Sequence, residues 1–230
     1  KQMAAIAKQN HIVFHTDAVQ AVGKIPVNVN DLGVDMLTMS SHKINGPKGA
    51  GALFKKNSVH LASRNMGGGQ EHNLRGGTEN MPGFIGFGEA ARITRQIWPT
   101  ESKRLKEMQD YLIERVLTEI PDTVLNGPRN ARAPHNLNFG FKYVDSESLL
   151  LQLDAVGISA SIGSACNAGG FAHSHVLEAM GAPREISQGS LRITLGMGNS
   201  KEQMDYIVEM LKEKVAKLRQ NNPHYVPKES

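Results

Sequence analysis

The chain of 230 residues contains a single cysteine, Cys166, and this scarcity excludes several kinds of protein. One thiol cannot form an intrachain disulfide, and it cannot supply a zinc site built from several cysteines. A disulfide-rich secreted scaffold is therefore excluded. Because such low cysteine usage fits a reducing compartment, we expect a cytoplasmic protein.

The sequence also lacks a long apolar run and a strong excess of charge. Its longest apolar candidate, residues 148–155, is interrupted by Gln152 and Asp154, whereas a membrane-spanning helix needs about 18 consecutive apolar residues. Lys and Arg number 26 against 22 Asp and Glu, and the net charge of +4 is spread along the chain without a basic stripe. We therefore predict no membrane span and no direct binding to nucleic acid.

What the sequence does contain is the composition of a globular protein. Hydrophobic residues make up 40% and charged residues 21% of the chain, which is enough apolar material for a core. Residues 1–10 have the spacing of the second half of an amphipathic helix, with Met3, Ile6 and Ala7 on one face, and neither a capping residue nor an initiator Met precedes them. We therefore expect this sequence to be a piece of a longer chain.

Three short strands are predicted in the first hundred residues, over 11–16, 34–40 and 50–54. A Gly-containing crossover separates the first two strands, and a Gly/Pro turn precedes the third. Strands joined in this way favour an α/β sheet. A helix over 82–97 follows, and we expect Trp98 and Pro99 to end it, because proline breaks a helix.

We place a second, smaller α+β domain after that helix, so that the predicted domains cover residues 1–98 and 99–230. Apolar residues at helical spacing, alternating residues and capping residues predict its elements. In chain order these are a helix over 105–120, a strand over 136–141, a helix over 146–155, a short helix over 175–180, a strand over 191–195 and a final helix that begins with a capping box at residues 200–203.

The densest cluster of reactive side chains is SSHK at residues 40–43, between a buried strand and a Gly/Pro turn. We expect Lys43 to be partly desolvated there, and desolvation lowers the pKa of an ammonium group toward the range of a nucleophilic amine. Such a lysine can hold an aldehyde as a Schiff base. The alternative is an ordinary solvent-facing lysine in a turn.

Asp17 ends the neighbouring predicted strand. If the two strands are parallel neighbours, their carboxyl ends bring Asp17 and Lys43 to one edge of the sheet. Pyridoxal phosphate needs this pair, because the carboxylate keeps the pyridine nitrogen protonated while the lysine holds the aldehyde. Gln20 is then available to donate to the phenolate oxygen of the ring. The alternative for Asp17, a helix N-cap, is compatible with this role.

Five groups of residues, taken together, resemble one family. They are HTDAVQ at residues 15–20, SSHK with GPKG at 40–43 and 46–49, RGGT at 75–78, GSAC at 163–166 and SLR at 190–192. In this order along nearly the whole chain, they resemble the cysteine desulfurases of the NifS/IscS type, within the class V aminotransferases. Five collinear motifs are far more specific than any one of them.

The resemblance implies a pyridoxal-phosphate-dependent transferase of fold type I that works as a homodimer. Such an enzyme takes sulfur from L-cysteine, releases L-alanine and holds the sulfur as a persulfide for a sulfur-acceptor or iron–sulfur scaffold protein. Residues 1–98 are then implied to be the C-terminal part of the large, mixed-sheet domain that binds the cofactor. Residues 99–230 are implied to be the small domain.

The resemblance also assigns a role to each motif residue near the cofactor. Lys43 is implied to be the Schiff-base lysine, Asp17 to pair with the pyridine nitrogen and Gln20 to contact the phenolate oxygen. Ser40 and His42 are implied to bind the phosphate. We expect His42 to take part in catalysis as well.

Three further residues receive roles in the same way. Thr78 is implied to reach the phosphate bound in the partner subunit, Arg192 to clamp the substrate carboxylate with its planar guanidinium, and Cys166 to form the persulfide. Through that persulfide, Cys166 could also ligate an iron–sulfur cluster transiently. We predict no other metal site, since His173 and His175 have no third ligand in view.

The residues around Cys166 support a catalytic role only in part. The thiol lies in a loop of Ser, Gly and Ala residues, and reactive thiols are exposed. Free cysteines are also common as small buried residues in protein cores. Without the resemblance, both interpretations stay open.

Family members carry further cofactor-binding groups in a longer N-terminal part: a Gly/Thr-rich phosphate loop, a residue that stacks on the ring and an Asn. We therefore expect the 230-residue chain alone to bind pyridoxal phosphate poorly and to be inactive. One alternative is a selenocysteine lyase or another fold-type I lyase, and the other is an inactive fragment that acts only in partner binding. The sequence does not identify the sulfur acceptor or its pathway.

Overall fold

The computed structural model describes residues 1–162 and 174–226. The chain forms two compact units, residues 1–100 and 101–230. Each unit contains a three-stranded sheet and helices, which confirms the predicted α/β fold class. The assignment of the two units to a cofactor domain and a small domain stays a prediction. None of the helices in the described ranges combines the length and the apolar character needed to cross a membrane.

Unit 1 is built around a mixed sheet. In chain order it contains α1 Gln2–Gln9, β1 His15–Asp17, α2 Val29–Leu32, β2 Met36–Ser40, a 3-10 turn Ser41–Ile44, β3 Gly51–Lys55, α3 Gln70–Asn73 and the first part of α4 Met81–Glu119. The strand order is β1-β2-β3, with β1 parallel and β3 antiparallel to β2. Ala18, Val34 and Leu37 form the buried core beside this sheet.

Strand β1 is shorter than the strand predicted over residues 11–16. Its ladder begins at His15, which pairs with Met36, the first residue of β2. No residue of β2 therefore lies opposite residues 11–13, and Ile12 and Val13 are 60% and 54% exposed. A β-rich sequence forms a strand only where a neighbouring strand supplies the partner groups.

Helix α4 passes through Pro99, so the prediction that Trp98 and Pro99 end a helix is wrong. Proline removes one backbone donor and costs about 3 kcal/mol inside a helix. Its fixed φ is nevertheless close to the helical value, so a helix can continue where packing compensates. Beyond Pro99 that packing comes from Leu105, Leu112 and Val116, which are buried in the core of unit 2.

Unit 2 is built around an antiparallel sheet. It contains the rest of α4, β4 Thr123–Leu125, β5 Asn136–Phe141, α5 Ser146–Asp154, α6 His175–Ala179, α7 Arg184–Gln188, β6 Ser190–Thr194 and α8 Lys201–Gln220, and its strand order is β4-β5-β6. The predicted strand over 136–141 and the capping box of Ser200 and Gln203 are confirmed. Strand β4 and helix α7, of three and five residues, are additional elements that no sequence pattern indicated.

Strand β5 separates the core of unit 2 from a polar face. Leu137 and Phe139 are fully buried in the core to which α4, α5 and α8 also contribute. Asn136 and Asn138 alternate with them and so lie on the other face of the strand. Because β6 pairs with β5, Arg192 lies directly opposite Asn138, and directly opposed residues share a face of the sheet. The sheet therefore presents Arg192 away from the core.

An ion-pair network around Arg115 joins α4 to α8 within unit 2. Its guanidinium donates to Asp205 at 2.6 Å and to Glu209 at 3.1 Å, and it also contacts Glu119 one turn along α4. Lys212 on α8 reaches the same Glu119 at 2.9 Å. Isolated exposed ion pairs contribute little to stability, whereas shared partners and a guanidinium fork make a network more effective.

This network predicts an acid-sensitive contribution to stability. Hydrogen bonds from Arg115, and then from Lys212, lower the pKa of Glu119 from 4.5 to about 2. Because the pKa is lower in the folded chain, the stabilisation is complete above about pH 4.5 and is lost as the pH falls toward 2. We expect Glu119→Gln to lower the free energy of unfolding at neutral pH, and this difference to shrink in acid. Urea unfolding followed by circular dichroism measures both.

Glu107→Gln is the matched control, because Glu107 is an exposed carboxylate on the same helix. We expect this substitution to leave the unfolding free energy nearly unchanged at every pH. A Glu119→Gln effect that stayed constant from pH 7 to pH 2.5 would contradict the ionic origin of the stabilisation.

Candidate active site

The parallel pairing of β1 with β2 brings the ends of both strands to one edge of the sheet. Asp17, the last residue of β1, pairs with Thr38, and the Ala18 N–H continues the ladder by donating to the Thr38 carbonyl at 2.9 Å. Strand β2 ends at Ser40, and the turn with Lys43 follows directly. The condition on which this site depends, that the two strands are parallel neighbours, is therefore met.

Asp17 has two functions available at this edge. Its Oδ1 accepts a hydrogen bond from the Val19 N–H at 2.8 Å and so caps the turn that follows β1. This turn does not continue as a helix, so Asp17 caps a turn and not the helix of the alternative interpretation. The residue is exposed, and no other hydrogen bond of its carboxylate is found among residues 1–162 and 174–226. One carboxylate oxygen thus stabilises the turn while the other stays accessible.

The 3-10 turn divides its four side chains between the interior and the solvent. Ser41 and Ile44 are buried, whereas His42 and Lys43 are exposed. A 3-10 helix has three residues per turn, so residues i and i+3 face the same way. This geometry corrects the expectation that Lys43 is partly desolvated, because the turn directs Lys43 outward in unit 1.

The remaining cofactor residues are distributed unevenly. Gln20 is exposed in the turn that Asp17 caps, and Ser40 is half-buried at the end of β2. Thr78 is exposed in a separate loop, whose base is closed by a hydrogen bond from the Gly76 N–H to the Asn65 carbonyl at 2.8 Å. The sheet edge therefore gathers the groups expected around the ring and the phosphate, except for Thr78.

The groups at this edge fit pyridoxal phosphate by their chemistry. An exposed carboxylate, Asp17, suits a protonated ring nitrogen, and an exposed amine, Lys43, suits an aldehyde. The Ser40 hydroxyl and the His42 imidazole can donate to a phosphate. No carboxylate competes with them within the 3-10 turn.

A second group of candidate residues surrounds a cavity of about 500 Å³ in unit 2. Arg192 on β6, Asn136 and Asn138 on β5, and Arg132 line it together with apolar residues near α6. No Asp or Glu from the described part of the chain lines this cavity. Arg132 and Arg192 bring two guanidinium groups to the wall of this cavity, and a guanidinium fork matches the geometry of a carboxylate ligand.

The backbone of Arg192 is paired with another segment of the chain on each side. On one side it pairs with Asn138 in the β5–β6 ladder. On the other, the Arg192 N–H donates to the Ser161 carbonyl at 2.7 Å, and the Ser161 N–H donates to the Arg192 carbonyl at 3.0 Å. The backbone position of Arg192 is therefore set by its pairing on both sides.

Arg132 is a candidate residue that no motif indicated. Its guanidinium donates to the Asn126 carbonyl, to the Pro128 carbonyl at 3.1 Å and to the Asn136 side chain at 3.4 Å. Burial lowers the pKa of Arg132 below its usual value, although an arginine stays protonated. Sequence patterns do not reveal such a residue, because its burial depends on a loop folding over it.

Cys166 and His173 lie outside the described residues, which end at 162 and resume at 174. Their predicted roles are therefore untested by the geometry. Among residues 1–162 and 174–226, no group of three or more His, Cys, Asp or Glu side chains has an arrangement that could hold a metal ion.

Comparison with known proteins identifies the class first. The aminotransferase class-V family matches residues 1–207, so the chain belongs to this family. Among its relatives, the cysteine desulfurase IscS of Dictyoglomus turgidum is 46% identical over 224 residues, which is 97% of this chain and 57% of that protein. The cysteine desulfurase IscS of Methanosarcina thermophila is 46% identical over 229 residues, covering 100% of this chain and 56% of that protein.

Solved structures agree with the relatives. The NifS-like protein from Rickettsia africae matches with a TM-score of 0.83 at 31% identity, over 94% of this chain and 57% of that one. The resemblance to cysteine desulfurases inferred from the five motifs is therefore confirmed. The chain spans only 57% of the length of the first of these curated relatives.

The Arg132 contacts lead to a stability prediction. We expect Arg132→Lys to lower the free energy of unfolding by about 1–2 kcal/mol, since a single ammonium cannot replace a guanidinium that joins two carbonyls and an amide. Arg129→Lys is the control, because Arg129 makes an exposed ion pair with Glu114. Urea unfolding of both variants measures the difference, and equal effects would contradict a special role for Arg132.

Proposed function

We propose that this chain carries the C-terminal part of a pyridoxal-phosphate-dependent cysteine desulfurase. The observation that carries the proposal is the parallel pairing of β1 with β2, which brings Asp17 to the same sheet edge as the Lys43 turn. The similarity to proteins named cysteine desulfurase IscS supports the choice of reaction. The substrate is L-cysteine, and the products are L-alanine and a persulfide on Cys166.

The residues of unit 1 hold the cofactor. Lys43 binds its aldehyde carbon, Asp17 pairs with the ring nitrogen and Gln20 donates to the phenolate oxygen. Ser40 and His42 bind the phosphate, and the exposure of both His42 and Lys43 leaves them accessible to it. When bound, pyridoxal phosphate stabilises the negative charge that develops on a substrate carbon.

The protein groups then act on the substrate. Arg192 binds the carboxylate of L-cysteine through a planar fork, which suits a carboxylate better than an ammonium does. Lys43 accepts and returns the proton at the substrate α-carbon, as a general base and acid, and His42 assists at the same site. The Cys166 thiolate attacks the substrate sulfur, so that a sulfur–sulfur bond forms as the carbon–sulfur bond breaks. The electron pair of the broken bond stays with the substrate β-carbon, which takes up a proton from a general acid and becomes the methyl group of L-alanine.

The partners follow from the same function. Thr78 contacts the phosphate held by a second copy of the protein, which makes the enzyme a homodimer. The Cys166 persulfide passes its sulfur to an acceptor or an iron–sulfur scaffold protein, and it can ligate a nascent cluster for a short time. We propose a cytoplasmic location, in keeping with the single cysteine of the chain.

The role of Lys43 can be tested by chemical capture. The chain is incubated with a small amount of pyridoxal phosphate and reduced with borohydride, and the labelled lysines are mapped by mass spectrometry. We expect weak binding overall but labelling of Lys43 in preference to Lys48, an exposed lysine of the same loop, because Asp17 and His42 orient the cofactor. Asp17→Ala should reduce the labelling of Lys43. Equal labelling of both lysines would contradict the proposed site.

The role of Cys166 requires the complete, cofactor-loaded protein. With L-cysteine as substrate, we expect Cys166→Ala to lose persulfide formation and nearly all release of L-alanine, because no thiolate remains to accept the sulfur. Selenocysteine serves as a second substrate, and a faster release of selenium than of sulfur would favour a selenocysteine lyase. If Cys166→Ala still produced alanine and sulfide at the unmodified rate, the assignment of the nucleophile would be wrong.

A further inference from the structure

The turn that carries Lys43 is held by the backbone of one residue, Ser41. The Ser41 N–H donates to the Ala50 carbonyl at 3.1 Å, across the base of the loop. The Ser41 carbonyl accepts hydrogen bonds from the N–H groups of Asn45 and Gly46, the latter at 3.0 Å. Ser41 is therefore the point at which the turn is both attached to the sheet and closed on itself.

The Ser41 side chain has an unusual environment. The residue is 0% exposed, and its hydroxyl has no hydrogen-bond partner in the described part of the chain. A buried hydroxyl without a partner destabilises a fold, so its presence calls for a physical explanation. Hydrogen bonding does not explain why a serine is buried here. The remaining explanation is that its side chain fills a space of matching size.

Gly46 leaves the space that this hydroxyl occupies. A Cβ on Gly46 would lie 2.2 Å from Ser41 Oγ and 2.9 Å from Ala90 Cβ on α4. The φ of Gly46 is not positive, so glycine is required here for space and not for backbone conformation. Helix α4 allows the same close approach one turn earlier, where a Cβ on Gly86 would lie 2.5 Å from Pro47 Cγ.

We propose that Ser41 and Gly46 are positioning residues for Lys43. The Ser41 side chain fills the space beside Gly46, and this contact fixes the 3-10 turn that presents His42 and Lys43 at the sheet edge. The proposal rests on the proposed role of Lys43 in holding pyridoxal phosphate. The proposal adds a steric requirement to that role: the Ser41 side chain and the absence of a side chain at Gly46 must fit together. The sequence of the motif alone does not show this requirement.

The test is a double-mutant cycle on the chain. Gly46→Ala introduces the overlapping Cβ, and Ser41→Ala removes the overlapping Oγ. The double variant Ser41→Ala/Gly46→Ala combines them. Gly88→Ala is the matched control, because Gly88 is also a glycine of unit 1, but a Cβ there would meet nothing within 4 Å. Hydrogen exchange at the Asn45 and Gly46 amides, the melting temperature and capture of Lys43 by pyridoxal phosphate are measured for each.

We expect Gly46→Ala to lower the melting temperature by several degrees and to accelerate exchange of both amides, because overpacking shifts the turn. Capture of Lys43 relative to Lys48 should fall about tenfold. The reason is that a shifted turn moves the Lys43 amine away from the position in which it meets the aldehyde of the cofactor. Ser41→Ala should leave the melting temperature unchanged or higher. The double variant should recover part of each loss, because the added Cβ still lies 2.9 Å from Ala90 Cβ and 3.1 Å from the Ser41 carbonyl oxygen. Gly88→Ala should behave as the unmodified chain or melt slightly higher.

Three results would overturn the proposal. The first is a Gly46→Ala variant that matches Gly88→Ala in all measurements. The second is a double variant without recovery. The third is a Gly46→Ala variant that melts at a lower temperature but keeps the preference for labelling Lys43 over Lys48. In that case the contact between Ser41 and Gly46 would stabilise the fold without positioning Lys43. If the unmodified chain shows no preference for Lys43, the proposed function fails instead, and amide exchange across the cycle still decides whether Ser41 and Gly46 fix the turn.

Discussion

The candidate cofactor site depends on one short interaction, the parallel pairing of β1 with β2. Only three residue pairs form it, from His15 with Met36 to Asp17 with Thr38. Parallel strands end at the same edge of a sheet, so this pairing alone makes neighbours of an acidic residue and the Lys43 turn, which are far apart in sequence. An antiparallel pairing of the same segments would send Asp17 to the opposite edge and remove the site.

The first part of helix α4 packs against the two turns that carry the candidate site, through a line of residues along one face of the helix. Gly86, Ala90 and Thr94 lie four residues apart along α4. Gly86 lies against Pro47, Ala90 against Gly46 and Thr94 against Gly23. At each of these three contacts, a Cβ added to the glycine would lie less than 3.0 Å from an atom of the other residue. Residues four apart share a face of a helix, so one face of α4 receives both the Lys43 loop and the turn after β1. The exposed reactive groups thus rest on a tightly packed base.

Many of the strands and helices of both units could be predicted from the sequence, because they are determined by local patterns. The alternation in residues 136–141 and the capping residues Ser200 and Gln203 each act over a few neighbours. The predictions that failed depend on distant residues. Pro99 stays inside a helix because of packing beyond it, and the outward direction of Lys43 follows from a 3-10 turn whose inner side chains must fit against α4.

The same distinction explains why the strand position of Arg192 could be predicted and the contacts of Arg132 could not. Arg192 belongs to a strand with a recognisable motif, and its backbone is held by Asn138 on one side and Ser161 on the other. Arg132 becomes important only when its loop closes and its guanidinium collects carbonyls at the cavity wall. Backbone hydrogen bonds hold Arg192 in its strand, whereas the Arg132 guanidinium itself holds together the loop that carries it. The cavity therefore combines a residue fixed by the sheet with one that fixes its own loop.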